Sequence, residues 1–238
     1  MQRLIEAKKI GLLGGTFDPV HNGHLALAKH VIQTLQLDSI WFIPASLPPH
    51  KHGHGDGLEI SSFSHRIAML ERAISRYPRF VISDIEAKRS APSYSIDTIN
   101  ILLQQIKEPA DLYFIIGADA FLEIDTWKRH KELPNLVNFV VISRPGYPPD
   151  KVGEVIRFNF TDYIYDPLHE IWRSKHSRGL FILQHMEPMP VSSTEIRKKV
   201  RGGKEIAGLV PQAVEDYIKK RKLYSARKTI VYEKQSIS

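Results

Sequence analysis

The sequence predicts an α/β protein, a doubly wound parallel sheet with a C-terminal helical extension. Three observations lead there. Apolar, β-rich runs recur at residues 10–13, 40–44, 80–83, 112–116, 139–143 and 180–183, and several lack polar alternation, as strands buried on both faces do. Helical patterns lie between them at 24–35, 64–76, 95–107 and, more briefly, 120–131. Strand and helix in alternation give right-handed β-α-β units. Finally, a Gly-rich turn follows the first strand, and ligands of such sheets bind beyond the carboxyl ends of the strands.

That turn begins the stretch Gly14-Gly15-Thr16-Phe17-Asp18-Pro19-Val20-His21-Asn22-Gly23-His24-Leu25. Glycines let backbone N–H groups approach a phosphate, and the start of the next helix adds a dipole that favours negative charge. His21 and His24, three apart at the helix start, can face the same way. The pattern suits a polyphosphate. It is neither a Walker A loop, since no Lys-Ser or Lys-Thr follows, nor a G-x-G-x-x-G fingerprint. The H-x-x-H pair lacks an obvious third metal ligand nearby, and the chain has no cysteine.

Two segments interrupt the alternation. Residues 50–57, His-Lys-His-Gly-His-Gly-Asp-Gly, read as a loop beside the phosphates. Residues 146–178 mix Pro, aromatic and charged residues without periodicity, and irregular structure is expected there. Further on, Ser192 and Glu195 form an S-x-x-E capping box, so a helix should start just after Ser192 and stop before Gly202-Gly203. Another helix follows Pro211 and runs toward Lys222. The expected organisation is a core over 1–190, a helical part over 191–224 that completes the nucleotide site, and a polar tail over 225–238.

Composition bounds the function classes. The 238 residues suffice for one large domain, and 42% hydrophobic and 25% charged residues are ordinary for a globular protein. No apolar run approaches the ~20 residues of a membrane span. The first residues, Met-Gln-Arg-Leu-Ile-Glu, do not read as a secretory signal, so a cytoplasmic location is expected. A formal charge of +7 suits nucleic acid or small anionic substrates. Most of the basic runs near the C-terminus read as solvated helix faces; Arg197 is the exception, because it sits in a motif.

The pattern G-x-F-D-P-x-H-x-G-H resembles the HxGH nucleotidyltransferase superfamily. That superfamily's second signature, I-S-S-T-x-I-R, is matched by Val191-Ser192-Ser193-Thr194-Glu195-Ile196-Arg197 with Val for Ile. Within it the chain resembles the bacterial-type nicotinate mononucleotide adenylyltransferases. The residues that carry this are Pro48-Pro49-His50-Lys51, Pro92-Ser93-Tyr94-Ser95-Ile96-Asp97-Thr98, Gly117-Ala118-Asp119 with Trp127, Ser143-Arg144-Pro145-Gly146 and Val210-Pro211 with Tyr217-Ile218. The resemblance implies a Rossmann-like nucleotidyltransferase fold and adenylyl transfer from ATP to nicotinate mononucleotide, giving nicotinate adenine dinucleotide and pyrophosphate.

Such a reaction needs donors and cations rather than an acid/base pair, because the attacking phosphate oxygen is already anionic. His21, His24 and Arg197 are the expected catalytic groups. Gly14, Gly15, Thr16, Phe17, Gly117, Asp119, Ser192, Ser193 and Thr194 are expected around ATP, the fork of Arg197 reaching a terminal phosphate. The resemblance further implies that Lys51, Ser93, Tyr94, Thr98, Trp127, Lys128 and Arg144 serve the acceptor. Trp127 would stack on the pyridine ring, and the amides of Trp127 and Lys128 would meet the nicotinate carboxylate. Mg²⁺ would ride mainly on the ATP phosphates, and Asp18 reads as structural. A homo-oligomer is possible on these residues; nucleic acid and membrane partners are not expected. Other readings remain at this point: an adenylyltransferase that prefers the nicotinamide mononucleotide or takes both, more distantly a pantetheine-phosphate adenylyltransferase or a cytidylyltransferase, a basic nucleic-acid binder and a non-catalytic nucleotide sensor.

Overall fold

The computed structural model describes residues 7–46, 60–89, 92–143, 146–187 and 189–225. Eight strands form a single sheet in the order β3-β2-β1-β4-β5-β8-β7-β6. β1 (Lys8–Gly15), β2 (Ser39–Pro44), β3 (Phe80–Ile82), β4 (Ala110–Gly117), β5 (Asn138–Ser143) and β8 (Phe181–His185) are parallel neighbours. The strand order reverses between β1 and β4, which makes their carboxyl ends the binding edge of the sheet.

Successive residues on each central strand point into opposite layers. Leu13, Phe42, Ile115 and Val140 pack with α1 (Asn22–Thr34), α2 (Phe63–Ile74), α6 (Ser193–Arg201) and α7 (Gln212–Arg221). Leu12, Ile43, Phe114, Ile116, Phe139 and Val141 pack on the other face with α3 (Ser95–Gln105), α4 (Ala118–Phe121) and α5 (Pro149–Asn159). Apolar side chains on both faces are why these strands read as unbroken hydrophobic runs. Gly11 lets β1 and its neighbours close up, since a Cβ there would lie 2.4 Å from Ile40 Cδ1. The C-terminal helices add Ile196, Ile206, Val214 and Ile218 to the cluster that holds α1 and α2.

Two expectations are corrected. The helix expected over 120–131 is the four-residue α4 followed by 3₁₀ turns at Ile124–Thr126 and His130–Asn135. Pro134 lies inside the second turn, where a proline cannot extend an α-helix. Residues 146–178 are not irregular. They hold α5 and an antiparallel pair, β6 (Tyr163–Asp166) and β7 (Ile171–Ser174), which extends the sheet beyond β8. Helix α5 does carry an amphipathic stripe, with Val152, Gly153 and Ile156 buried, but on only eleven residues that open at Pro149. The hairpin strands are four residues each, too short for alternation to register.

Candidate active site

β1 delivers Gly14 and Gly15 to the binding edge, where a Cβ on Gly14 would meet nothing within 4 Å. Thr16 to Val20 then turn the chain back under its own end. Phe17 takes a left-handed φ of 51°, and the Asp18–Pro19 peptide is cis. The Phe17 ring is buried edge-on to His24 at 5.0 Å and beside Phe42 at 5.7 Å. Helix α1 starts directly after His21, whose carbonyl accepts from His24 N–H at 3.0 Å.

The two imidazoles stack, with ring centroids 3.7 Å apart and 27° between planes. His21 N–H donates to His24 Nδ1 at 3.2 Å. A ring nitrogen that accepts carries no proton, so neutral His24 is the Nε2–H tautomer and Nε2 becomes a donor. Burial lowers the pKa of His21 to about 4. Burial, and then the neighbouring His21, hold His24 well below 6.5. Both rings are therefore neutral at pH 7. Gly23 permits the tight seat, because a Cβ there would stand 3.0 Å from both His21 Nδ1 and Val191 Cγ1.

The second motif faces the first. Ser192 Oγ accepts from Glu195 N–H at 3.2 Å and caps α6 as the S-x-x-E spacing requires. A cleft of about 260 Å³ separates the helix starts, lined by His21, Gly23, His24, Leu27, Val191, Ser192 and the apolar Ile142, Met186 and Met189. A larger hollow of about 730 Å³ lies between the end of α6 and the end of α7, lined by Val200, Ile206, Ile218 and Leu223 among others and by no residue of either motif. Chemistry, not size, marks the smaller cleft as the site.

Hydrogen bonds stitch the motifs together. Ser193 Oγ donates to Pro19 O at 2.9 Å, Arg197 Nη1 to Asp18 O at 2.7 Å, and Asn22 donates to Leu209 O and Gly208 O at 2.9 and 2.8 Å. This alters two expected roles. Arg197 is 2% exposed and also reaches Thr194 Oγ1 at 3.1 Å, so its fork does not lie open to a terminal phosphate. The Ser193 and Thr194 hydroxyls are likewise engaged in the fold. The first backbone N–H groups of α6, at Ser193 and Thr194, lie beyond reach of any intrahelical carbonyl.

Below the turn lies a buried charged layer. Asp18, 1% exposed, accepts from Ser61 N–H at 2.9 Å and from the Tyr224 hydroxyl at 2.5 Å, the structural role expected for it. Arg66, also 2% exposed, donates to Ser61 O, Thr16 O and Ala45 O at 3.1, 2.9 and 2.7 Å. Neither Arg66 nor Tyr224 was singled out by motif. Arg66 had one signal, a cation within the apolar stripe Met69, Leu70, Ala73 of α2.

The expected acceptor residues gather beside β2 and β4. Trp127 is half-buried, its ring edge-to-face with Phe114 at 5.9 Å, and its N–H donates to Ile124 O at 3.0 Å. The Trp127 amide is thus held within its own turn rather than presented to a carboxylate. Lys128 Nζ lies 4.9 Å over the Tyr94 ring and 2.9 Å from Asp97 Oδ2, which Arg89 also meets at 3.3 Å. Ser93 Oγ accepts from Ser46 N–H at 3.2 Å. Thr98 is buried and donates to Glu86 Oε1 at 2.8 Å, so it supports this wall from behind. Gly117 ends β4, and the Asp119 carboxylate folds back so closely that a Cβ on Gly117 would lie 2.4 Å from Oδ1. Lys51 and Arg144 lie outside the described residues.

A doubly wound sheet with two facing motifs over a donor-lined cleft defines a nucleotidyltransferase. Residues 12–199 match the family described as cytidylyltransferase-like. The chain is 41% identical over 220 residues to a "probable nicotinate-nucleotide adenylyltransferase" of Geotalea daltonii, covering 91% of this chain and 98% of that one. A protein of the same printed name from Desulfotalea psychrophila is 39% identical over 219 residues, covering 91% and 100%. Among solved structures, the Plasmodium falciparum nicotinic acid mononucleotide adenylyltransferase complexed with NaAD has the same fold, with a TM-score of 0.67, 19% identity and coverage of 91% and 97%. The chain belongs to the cytidylyltransferase-like family and, within it, groups with the nicotinate-nucleotide adenylyltransferases.

Proposed function

We propose that this protein transfers the adenylyl group of ATP to nicotinate mononucleotide, forming nicotinate adenine dinucleotide and pyrophosphate. The observation that carries the reading is the pair of neutral, stacked imidazoles facing the start of α6 across one cleft. An oxygen of the mononucleotide phosphate attacks the α-phosphorus of ATP. The bond from that phosphorus to the bridging oxygen breaks, and pyrophosphate departs with the electron pair. No proton has to be removed from the nucleophile. His24 Nε2–H donates to an α-phosphate oxygen as charge builds there, and the amides of Gly14 to Phe17 and of the α6 start hold the outer phosphates.

Among the described residues no group of three or more His, Asp or Glu converges to hold a metal. The cleft offers N–H donors, which suit phosphate oxygens and not a cation, so Mg²⁺ is assigned to the triphosphate. Bound there, it would supply charge neutralisation to the phosphates. For the acceptor, the half-exposed Trp127 supplies a stacking face, and the preference for a ring that carries a carboxylate rests on the resemblance. On resemblance, Lys51 is assigned to phosphate and Arg144 to the lining of the mononucleotide pocket or the adenosine site.

Incubation with ATP, Mg²⁺ and either the acid or the amide mononucleotide tests this directly. Pyrophosphate release with the acid is expected. Equal or faster release with the amide would overturn the acid preference, and release with neither would remove the reading altogether.

A further inference from the structure

Arg66 is buried in α2, outside both motifs in sequence, and among the described residues its guanidinium places three hydrogen bonds on backbone carbonyls. Those carbonyls belong to three separate segments. Thr16 O is in the Gly-rich turn, Ala45 O follows the end of β2, and Ser61 O precedes α2. Asp18 takes the Ser61 N–H from the other side, so this segment is held at both its N–H and its C=O. Ala45 N–H in turn donates to Gly15 O at 2.9 Å. One guanidinium therefore joins the phosphate turn to both ends of the connection between β2 and α2.

The chemistry of this spot suits arginine alone. Its planar fork directs several donors at fixed angles, which an ammonium on a flexible stem cannot do. The layer carries Arg66 and Arg197 against Asp18 and Glu86, all buried. Such a set is costly to assemble for stability alone, and an apolar replacement often serves a core as well. A buried fork that reaches the phosphate turn needs a geometric reason. Thr16 and Phe17 have one, because their N–H groups must sit where the triphosphate arrives, and Phe17 holds a left-handed conformation that costs energy unless its neighbours fix it.

We infer that Arg66 is a positioning residue for adenylyl transfer: through Thr16 O it sets the turn that receives ATP, and through Ala45 O and Ser61 O it keeps that turn in register with the β2–α2 connection. This rests on the function proposed above. A misplacement of about 1 Å at a reacting centre can lower the rate on the order of 10²-fold.

The test compares Arg66→Lys and Arg66→Met with the unchanged protein, at a temperature well below each measured Tm. The readouts are kcat, the KM for each substrate, and the Kd of a non-hydrolysable ATP analogue by calorimetry. In Arg66→Met, kcat/KM for ATP should fall at least tenfold and the analogue should bind several-fold more weakly, while the KM for the mononucleotide stays within about twofold. Arg66→Lys should recover the charge but less than half of the lost rate. Folded variants with kcat and analogue affinity near the unchanged values would overturn the inference, and so would failure of both variants to fold, since the role would then be structural only. If the unchanged protein binds the analogue but makes no dinucleotide, the proposed reaction fails while the Kd comparison still decides Arg66. If it binds no analogue, there is no ATP turn to position and both readings fall.

Discussion

The hydroxyl of Ser193 donates to the carbonyl of Pro19 at 2.9 Å, joining residues 174 positions apart. That bond, with Arg197 on Asp18 O, makes the start of α6 and the Gly-rich turn one rigid surface. Charge stabilisation by fixed donors is effective because they need no rearrangement when the transition state forms. The rigidity of this surface is therefore part of the chemistry.

His24 has two distinguishable ring nitrogens. In His24→Gln the side-chain amide can replace the Nε2 donor; in His24→Asn it can replace only the Nδ1 acceptor for His21 N–H. His24→Asn should lose on the order of 10²–10³ in kcat, as removal of an oxyanion donor does, with stability retained. His24→Gln should keep more turnover and lose more stability. The reverse ranking, by steady-state kinetics and denaturant melts, would contradict the tautomer.

Gly23→Ala should impair ATP use without unfolding the protein. The new methyl meets His21 and Val191, each at 3.0 Å, so the imidazole pair or the segment before α6 must shift by a few tenths of an ångström. Alanine is also the better helix former by about 1 kcal/mol, which offsets part of the strain. The KM for ATP should rise roughly tenfold, given the sensitivity of such sites to placement. Adding Val191→Ala should restore part of it; strict additivity of the two changes would argue against the contact.

The depressed histidine pKa values give a signed pH dependence. In the free protein His21 titrates near 4, while unfolded histidine titrates near 6.5. Between those values the unfolded state binds more protons, so stability is fully present above 6.5 and is lost as pH falls toward 4. Denaturant melts from pH 7 to 4 should show a shallower loss for His21→Asn than for the unchanged protein. Conversely, a bound triphosphate raises both pKa values, so binding of an ATP analogue should take up protons and tighten from pH 7 to 5. Calorimetry in buffers of different ionisation enthalpy reads this directly, and zero uptake would refute it.

Tyr224→Phe keeps the buried ring and removes the donor to Asp18. A hydrogen bond to a charged group contributes about 1.5–3 kcal/mol, and equilibrium unfolding should show a loss in that range. Burial and the adjacent Asp18 push the Tyr224 pKa well above 10, so the hydroxyl stays a donor throughout the working pH range.

Trp127→Ala should raise the KM for the mononucleotide at least tenfold and leave the KM for ATP nearly unchanged. Base–aromatic stacking is worth about 1–3 kcal/mol. Equal effects on both substrates would mean that Trp127, packed on Phe114, serves only the core.

The parallel strands, the helices that separate them and the capped start of α6 were legible because each is a local pattern: an apolar run, a 3.6 period, a Ser three residues before a Glu. The two motifs were legible for the same reason. What the linear chain does not state is which polar groups remain available once it folds. Ser193, Thr194 and Arg197 form a phosphate-binding pattern on paper, yet in the folded chain Ser193 donates to Pro19 O, and Arg197 is buried on Asp18 O and Thr194 Oγ1. Arg66 and Tyr224 lie in no motif and acquire meaning only when Thr16, Asp18, Ala45 and Ser61 converge on them. The short strands β6 and β7 depended on the sheet edge offered by β8. Local propensity acts between near neighbours and is written in the sequence. Burial, proton affinity and hydrogen-bond partnership are set by groups far apart in the chain, and only the packed molecule decides them.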